Sequence, residues 1–138
     1  MTMSLIPPVL ALVAWTFVMW VWLYATRIPA MRAARIDLEK VSRTGAKLEL
    51  PPEVTRVADN YNHLHEQPTL FYALALAAQL GNAVDVCAVV LAWAYVALRV
   101  IHSLVQATRN VIIVRFCVFA AASLVLLLLL ANTVLLLL

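Results

Sequence analysis

An arginine and a histidine stand three positions apart inside a long apolar segment of the sequence. Arg99 and His102 lie within residues 83–105, where a lipid bilayer would oppose an unpaired charge. A charged side chain near the middle of a membrane helix costs roughly 3 kcal/mol, so such side chains usually turn inward to a partner, a cavity or a ligand. Gln106 follows on the same helical face. The three residues predict an inward-facing polar site.

A second group of polar residues precedes the next apolar segment toward the N-terminus. Arg56, Asp59, Asn62, His63 and Glu66 fall on one face when these residues are drawn as a helix. A solvated helix start is an alternative interpretation for the first two. Glu66 lies roughly 20 Å along the helix from the expected helix start, directly before an apolar run. We therefore expect Glu66 to be buried and paired.

A further arginine, Arg115, stands near the start of the fourth apolar segment. The simplest arrangement of charges places Glu66 beside Arg99 or Arg115, which leaves surplus positive charge around a cavity. Such a cavity is complementary to an anionic ligand. Two alternatives assign no ligand: an ion pair between Glu66 and Arg99 that only fixes helix packing, and a His102 that only bonds to a neighbouring helix.

The composition identifies the environment of these residues. Of 138 residues, 65% are hydrophobic and 12% are charged, which excludes a water-soluble globule of ordinary surface. Four segments approach or exceed the ~20 apolar residues that a membrane-crossing helix needs: 5–26, 64–80, 83–105 and 111–138. They predict one domain over 1–138, an all-α membrane protein with four transmembrane helices in an up-down bundle. The predicted helices cover about 5–30, 53–80, 83–107 and 110–137, with a loop at about 31–52.

The distribution of basic residues predicts the orientation. Every lysine and arginine falls in or beside the connections after the first and third segments. By the positive-inside rule, loops 31–52 and 108–110 face the cytoplasm and both termini lie on the opposite side. The net charge of +3 thus reflects orientation and requires no nucleic-acid partner. Cys87 and Cys117 lie within apolar segments and offer no metal-ligand spacing.

The chain resembles the MAPEG family, the membrane-associated proteins in eicosanoid and glutathione metabolism, over essentially its whole length. Two elements carry the resemblance. The first is the polar start of helix two, which leads through Glu66-Gln67-Pro68 to Phe71. The second is the run from Arg99 to Gln106, followed by Arg115. The resemblance implies a homotrimer with glutathione bound in each subunit interface, near the cytoplasmic side.

The resemblance also implies roles for individual residues. Glutathione, as the co-substrate, would be held by side chains from the first loop and three helices: Arg32, Arg56, Asn62, Glu66, Arg99, His102, Gln106 and Arg109. Arg115 would stabilise the thiolate, which is the nucleophilic form of the thiol. Two alignments of helix two fit. Asn62 and Glu66 are four residues apart, whereas Asn60 and His63 have the family spacing of three but lack the carboxylate.

The resemblance implies a function and leaves one alternative open. The implied function is a glutathione-dependent transferase or peroxidase that acts on lipophilic electrophiles or hydroperoxides arriving from the bilayer. The alternative is a non-catalytic lipid-binding or scaffold member of the same family, because a fold does not by itself make an enzyme. A small multidrug transporter is disfavoured because such proteins place a carboxylate in their first helix, and the first segment here has none.

Overall fold

The computed structural model describes residues 3–45 and 49–138, and all regular structure in these ranges is helical. The six helices are α1 Ile6–Ala33, α2 Leu38–Thr44, α3 Pro52–His63, α4 Pro68–Leu80, α5 Val86–Ala107 and α6 Ile112–Leu137. Among them α1, α5 and α6 are long and apolar enough to cross a membrane. The predicted class, an all-α membrane protein, is confirmed.

The second predicted helix is divided into two. Instead of one helix over 53–80, the chain forms α3 and α4 with a break at residues 64–67. Pro68 is the first residue of α4. Proline has no N–H to donate to the carbonyl four residues earlier, and its ring clashes with that carbonyl, so a continuous helix through this position is disfavoured. At the end of α3 the carbonyls of residues 60–63 accept hydrogen bonds from the N–H groups of Leu64, His65 and Glu66.

The region between α1 and α3 differs from the predicted loop. Pro29 does not end the first helix, which continues to Ala33. Within the predicted loop lies the short helix α2, where the Asp37 carboxylate accepts hydrogen bonds from the N–H groups of Glu39 and Lys40. Gly45 ends α2 at a φ of +63°, a conformation that glycine adopts without strain. Residues 46–48 of the predicted loop lie outside the described residues.

Helices α1 and α3 to α6 pack as an antiparallel bundle. α5 and α6 form a hairpin, and α1 packs against α3, α4 and α5. The core contains side chains from all the long helices, among them Leu12, Phe71, Ala92 and Leu129. The rings of Phe71 and Tyr95 stack with centroids 4.7 Å apart. Alanines on α4 and α5 allow close approach of the helices, as small residues do in membrane bundles.

Polar contacts hold the two ends of the bundle. At one end the side-chain oxygen of Gln79 accepts hydrogen bonds from Ser4 Oγ at 3.2 Å and the Leu5 N–H at 2.8 Å. At the other end Arg56 Nη1 donates to the Thr108 carbonyl at 2.6 Å. The connections after α1 and α5 therefore share one end of the bundle, and the connection after α4 lies at the other.

Asp85 caps α5 at the end without basic residues. Its Oδ1 accepts hydrogen bonds from the Ala88 N–H at 2.8 Å and from Asn132 Nδ2 of α6 at 3.0 Å. The Ala88 backbone bond and then the Asn132 bond lower the pKa of Asp85 from its usual value of 3.8. A carboxyl with a lowered folded-state pKa stabilises the fold fully above the unfolded-state value, and this contribution disappears as the pH falls through the folded value.

We expect Asp85→Asn to remove that part of the acid sensitivity. Thermal unfolding in detergent, followed by circular dichroism from neutral pH to below 3.8, should show a smaller loss of stability on acidification in the variant than in the wild type. Asn132→Leu removes one of the two bonds and should give an intermediate slope. Equal slopes for wild type and Asp85→Asn would show that the cap does not contribute in this way.

Candidate functional site

One face of α5 carries four buried polar side chains. Arg99, His102, Ser103 and Gln106 recur at steps of three and four residues, so they lie one above another on the helix. Each is at most 3% exposed. α5 packs against α3 and α6, and this polar face turns toward them. The polar face turns inward because exposing these groups to hydrocarbon would cost free energy.

Arg99 binds the end of the broken second helix. Its Nη2 donates to the His63 carbonyl at 3.0 Å, and His63 is the last residue of α3. Carbonyls in the last turn of a helix lack intrahelical partners and form the negative end of the helix dipole. Arg99 Cζ also lies 5.8 Å from the centroid of the Phe119 ring, within range of a cation–π interaction. Arg99 Nε and Nη1 have no partner in the part of the chain that the structure describes.

The expected position of Glu66 is wrong. This residue is exposed, and it pairs with neither Arg99 nor Arg115. Its Oε2 instead lies 3.4 Å from His63 Nδ1, a contact without the geometry of a hydrogen bond. Asp59 and Asn62, which share its helical face, are exposed too, so this polar face turns out of the bundle instead of into it.

A cleft opens between α3, α5 and α6 beside this contact. Its volume is about 190 Å³. The ring of His102 lies 5.8 Å from that of His63 and 6.0 Å from that of Phe119, measured between centroids. His102 Nε2 lies 3.1 Å from Gln106 Oε1; because that oxygen can only accept, Nε2 carries the proton. The cleft is lined by His63, His102, Ile112, Arg115, Phe116 and Phe119.

Arg115 enters the cleft from the first turns of α6. Its Nη1 donates to Asn110 Oδ1 at 2.8 Å, which anchors one edge of the guanidinium at the α5–α6 turn. Asn110 adopts a positive φ of 49°, a conformation that asparagine tolerates better than most residues. No carboxylate is among the residues that line the cleft. Because Arg115 lines the cleft and is always protonated, the cleft is positively charged. This charge favours an anionic ligand.

Asn60, the alternative to Asn62 in the two alignments of helix two, is a polar residue of α3. It is fully buried, and its Nδ2 donates to Ser103 Oγ at 2.6 Å. Its Oδ1 has no partner among the described residues. The signal was present in the sequence, because Val57, Asn60 and Leu64 share one helical phase and the structure buries all three. Asn62 is exposed on the other side of α3, so the phase favours the alignment through Asn60 and His63.

Three predicted arginines lie outside the cleft. Arg56 links α3 to the end of α5 through the Thr108 carbonyl. Arg109 is exposed in the α5–α6 turn. Arg32 is exposed near the end of α1 and borders a separate surface depression with Met31. Of the predicted ligand residues, the structure gathers only Arg99, His102, Gln106 and Arg115 around the cleft within one chain.

Comparison with known proteins gives one match. The model of the MAPEG family matches residues 5–135, a range that includes every side chain lining the cleft. No curated protein and no solved structure matches the chain.

The buried bond between Asn60 and Ser103 predicts strong coupling in a double-mutant cycle. Ser103→Ala leaves the Asn60 amide without its partner and should cost about 1–3 kcal/mol, the range for an unsatisfied buried polar group. Asn60→Leu combined with Ser103→Ala should cost less than the sum of the single variants. Unfolding in detergent measures all four proteins. Additive effects would show that the hydrogen bond does not stabilise the α3–α5 contact.

Proposed function

The chain belongs to the MAPEG family, and we propose that it is an integral membrane glutathione-dependent transferase or peroxidase for lipophilic electrophiles or hydroperoxides. One observation carries the proposal. A cleft with Arg115 and two histidines at its wall, and with the buried Arg99 behind it, lies inside an otherwise apolar bundle. Cations held in a medium of low dielectric constant attract an anion far more strongly than cations in water do.

Glutathione has the charge that such a cleft needs. The tripeptide carries two carboxylates, one ammonium group and a thiol. Arg99, His102 and Gln106 would hold its polar groups, and the unpaired Arg99 nitrogens favour an anionic partner because a buried donor without an acceptor is costly. Arg115 would stabilise the thiolate, since a nearby guanidinium favours the charged form of a thiol. The thiolate is the nucleophile that attacks the second substrate.

A complete site needs more than one subunit. The cleft of about 190 Å³ is smaller than the ~300–1,000 Å³ typical of ligand pockets. Arg32, Asn62 and Arg109 are exposed and do not line this cleft, so in the proposed site they would contact a ligand bound in the cleft of a neighbouring subunit. A homotrimer with glutathione between subunits accounts for both observations and agrees with the family. Bilayer lipid would surround the assembly.

We assign the end of the bundle that carries the basic residues to the cytoplasm. The connections after α1 and α5 lie at this end together with Arg56 and Arg109, and the positive-inside rule applies to such short connections. The cleft begins beside the α5–α6 turn, where Arg115 bonds Asn110. Cytoplasmic glutathione would thus enter from this side, and the lipophilic substrate from the bilayer.

A non-catalytic lipid-binding protein is the second candidate. A groove of about 550 Å³ runs between α4 and α6. Apart from Gln67 and Ser123, which bond each other at 2.7 Å, the residues that line it are apolar. This groove is larger than the cationic cleft and suits an acyl chain. The two candidates differ in thiol chemistry, because only the enzyme requires Arg115.

Turnover with a generic electrophile tests the enzyme. Arg115→Ala should lower kcat about 10- to 100-fold, which corresponds to loss of a charge-assisted contact of ~1.5–3 kcal/mol. Arg43→Ala is the matched control, since Arg43 is exposed and pairs with Glu39 on α2, and it should retain wild-type kcat. Wild-type protein without glutathione turnover would favour the lipid-binding candidate, whereas an Arg115→Ala variant with unchanged kcat would overturn the role of Arg115.

Native mass spectrometry from detergent tests the assembly. The expected mass is that of three chains, because the proposed site lies between the subunits of the homotrimer that the family resemblance implies. Glutathione should bind the trimer and leave dissociated chains unoccupied. A monomer that binds glutathione as tightly as the assembly would contradict the intersubunit site.

A further inference from the structure

The cleft contains a histidine whose ring faces a carboxylate on its outer side. His63 lines the cleft together with Arg115, and its Nδ1 is buried and lies 3.4 Å from Glu66 Oε2. The opposite ring nitrogen, Nε2, is therefore the one that can reach a ligand in the cleft. The Glu66 side chain is 63% exposed. His63 thus lies at the cleft, and Glu66 lies behind it at the exterior of the bundle.

His63 differs from the second histidine of the cleft in availability. His102 is buried, and its Nε2 carries a proton donated to Gln106. The side chain of His63 is 35% exposed and its Nε2 is not committed in this way. A neutral imidazole with one nitrogen free to accept is the usual general base in proteins. His63 fits that role better than His102.

The charges around His63 come from three elements. Glu66 approaches from the connection that follows α3. Arg99 and His102 approach from α5, and Arg115 from α6. α1 packs against α3 through the uncharged residues Met19 and Val57. Glu66 is thus the one carboxylate that faces the ring among these contacts, so it alone can offset the positive charge of a protonated His63.

We infer that His63 is the base that takes the thiol proton, with Glu66 as the positioning residue that orients its ring; this inference rests on the proposed function. The S–H bond breaks, its electron pair stays on sulfur beside Arg115, and the proton goes to His63 Nε2. The thiolate then adds to an electrophilic carbon, such as the β-carbon of an unsaturated ketone. Protonated His63 returns the proton to the enolate that forms. Arg115 thus stabilises the thiolate and His63 accepts the proton.

The test measures thiolate formation and turnover in the same proteins. Bound glutathione thiolate is followed by its ultraviolet absorbance across pH, and the rate of addition to phenylbutenone is recorded in detergent. His63→Gln should bind glutathione in equilibrium dialysis, lose the thiolate signal at neutral pH and lower kcat about 100-fold, within the ~10²–10⁴ range of general acid–base catalysis. Its rate should recover at alkaline pH, where the thiol ionises without a base.

Three further variants separate proton transfer from structure. Glu66→Gln should shift the pH profile of kcat and lower kcat less than His63→Gln does. His65→Gln is the matched control, because His65 lies two residues along the chain, bonds the Tyr61 carbonyl through Nδ1 and borders a different cleft. It should keep the wild-type pH profile. Added imidazole should restore turnover to His63→Ala.

The outcomes distinguish this inference from the proposed function. Wild-type protein that does not bind glutathione overturns both. Wild-type binding and turnover, with an unchanged pH profile in His63→Gln, overturn the inference and leave the proposed function intact. If His63→Gln does not fold, imidazole rescue of His63→Ala or a shifted profile in Glu66→Gln supports the base, and absence of both effects overturns it.

Discussion

The hydrogen bond from Arg99 to the His63 carbonyl joins the helix break to the candidate site. Pro68 disfavours a continuous second helix, and α3 ends at His63, whose carbonyl is directed at α5. Arg99 supplies a donor at 3.0 Å and places its charge at the negative end of α3. The partner of the buried Arg99 guanidinium is therefore a backbone carbonyl and not a carboxylate. No carboxylate pairs with Arg99 among the described residues, so this charge remains uncompensated.

This uncompensated charge sets the chemistry that the cleft can support. An ion pair would have made the same arginine a packing element, as polar groups in membrane bundles often are. Here the nearest acid, Glu66, faces His63 from outside the bundle, and Arg115 is anchored by a neutral amide. In the function that we propose, ligand binding, thiolate stabilisation and proton transfer would fall to different residues. These residues lie where α3, α5 and α6 pack together.

The sequence predicted the membrane class and the buried face of α5 well, because both follow from the cost of exposing polar groups to hydrocarbon. It predicted helix two less well. Glu66 was expected to be buried and paired, whereas it is exposed together with Asp59 and Asn62 on the same helical face. The buried phase of Val57, Asn60 and Leu64 indicated the better alignment. The exposed Arg32 could not be assigned to the cleft from one chain, because its contacts depend on assembly.

Isothermal titration of the wild-type protein in lipid nanodiscs tests the central claim, that the cleft binds an anionic thiol. Glutathione sulfonate carries a fixed negative charge where the thiolate would be and is the sharper probe. The account predicts saturable binding of both ligands, tighter for the sulfonate, and weaker binding of the sulfonate at higher salt because screening opposes charge attraction. Absence of saturable binding for both ligands, in protein that is folded in the nanodisc, would contradict it.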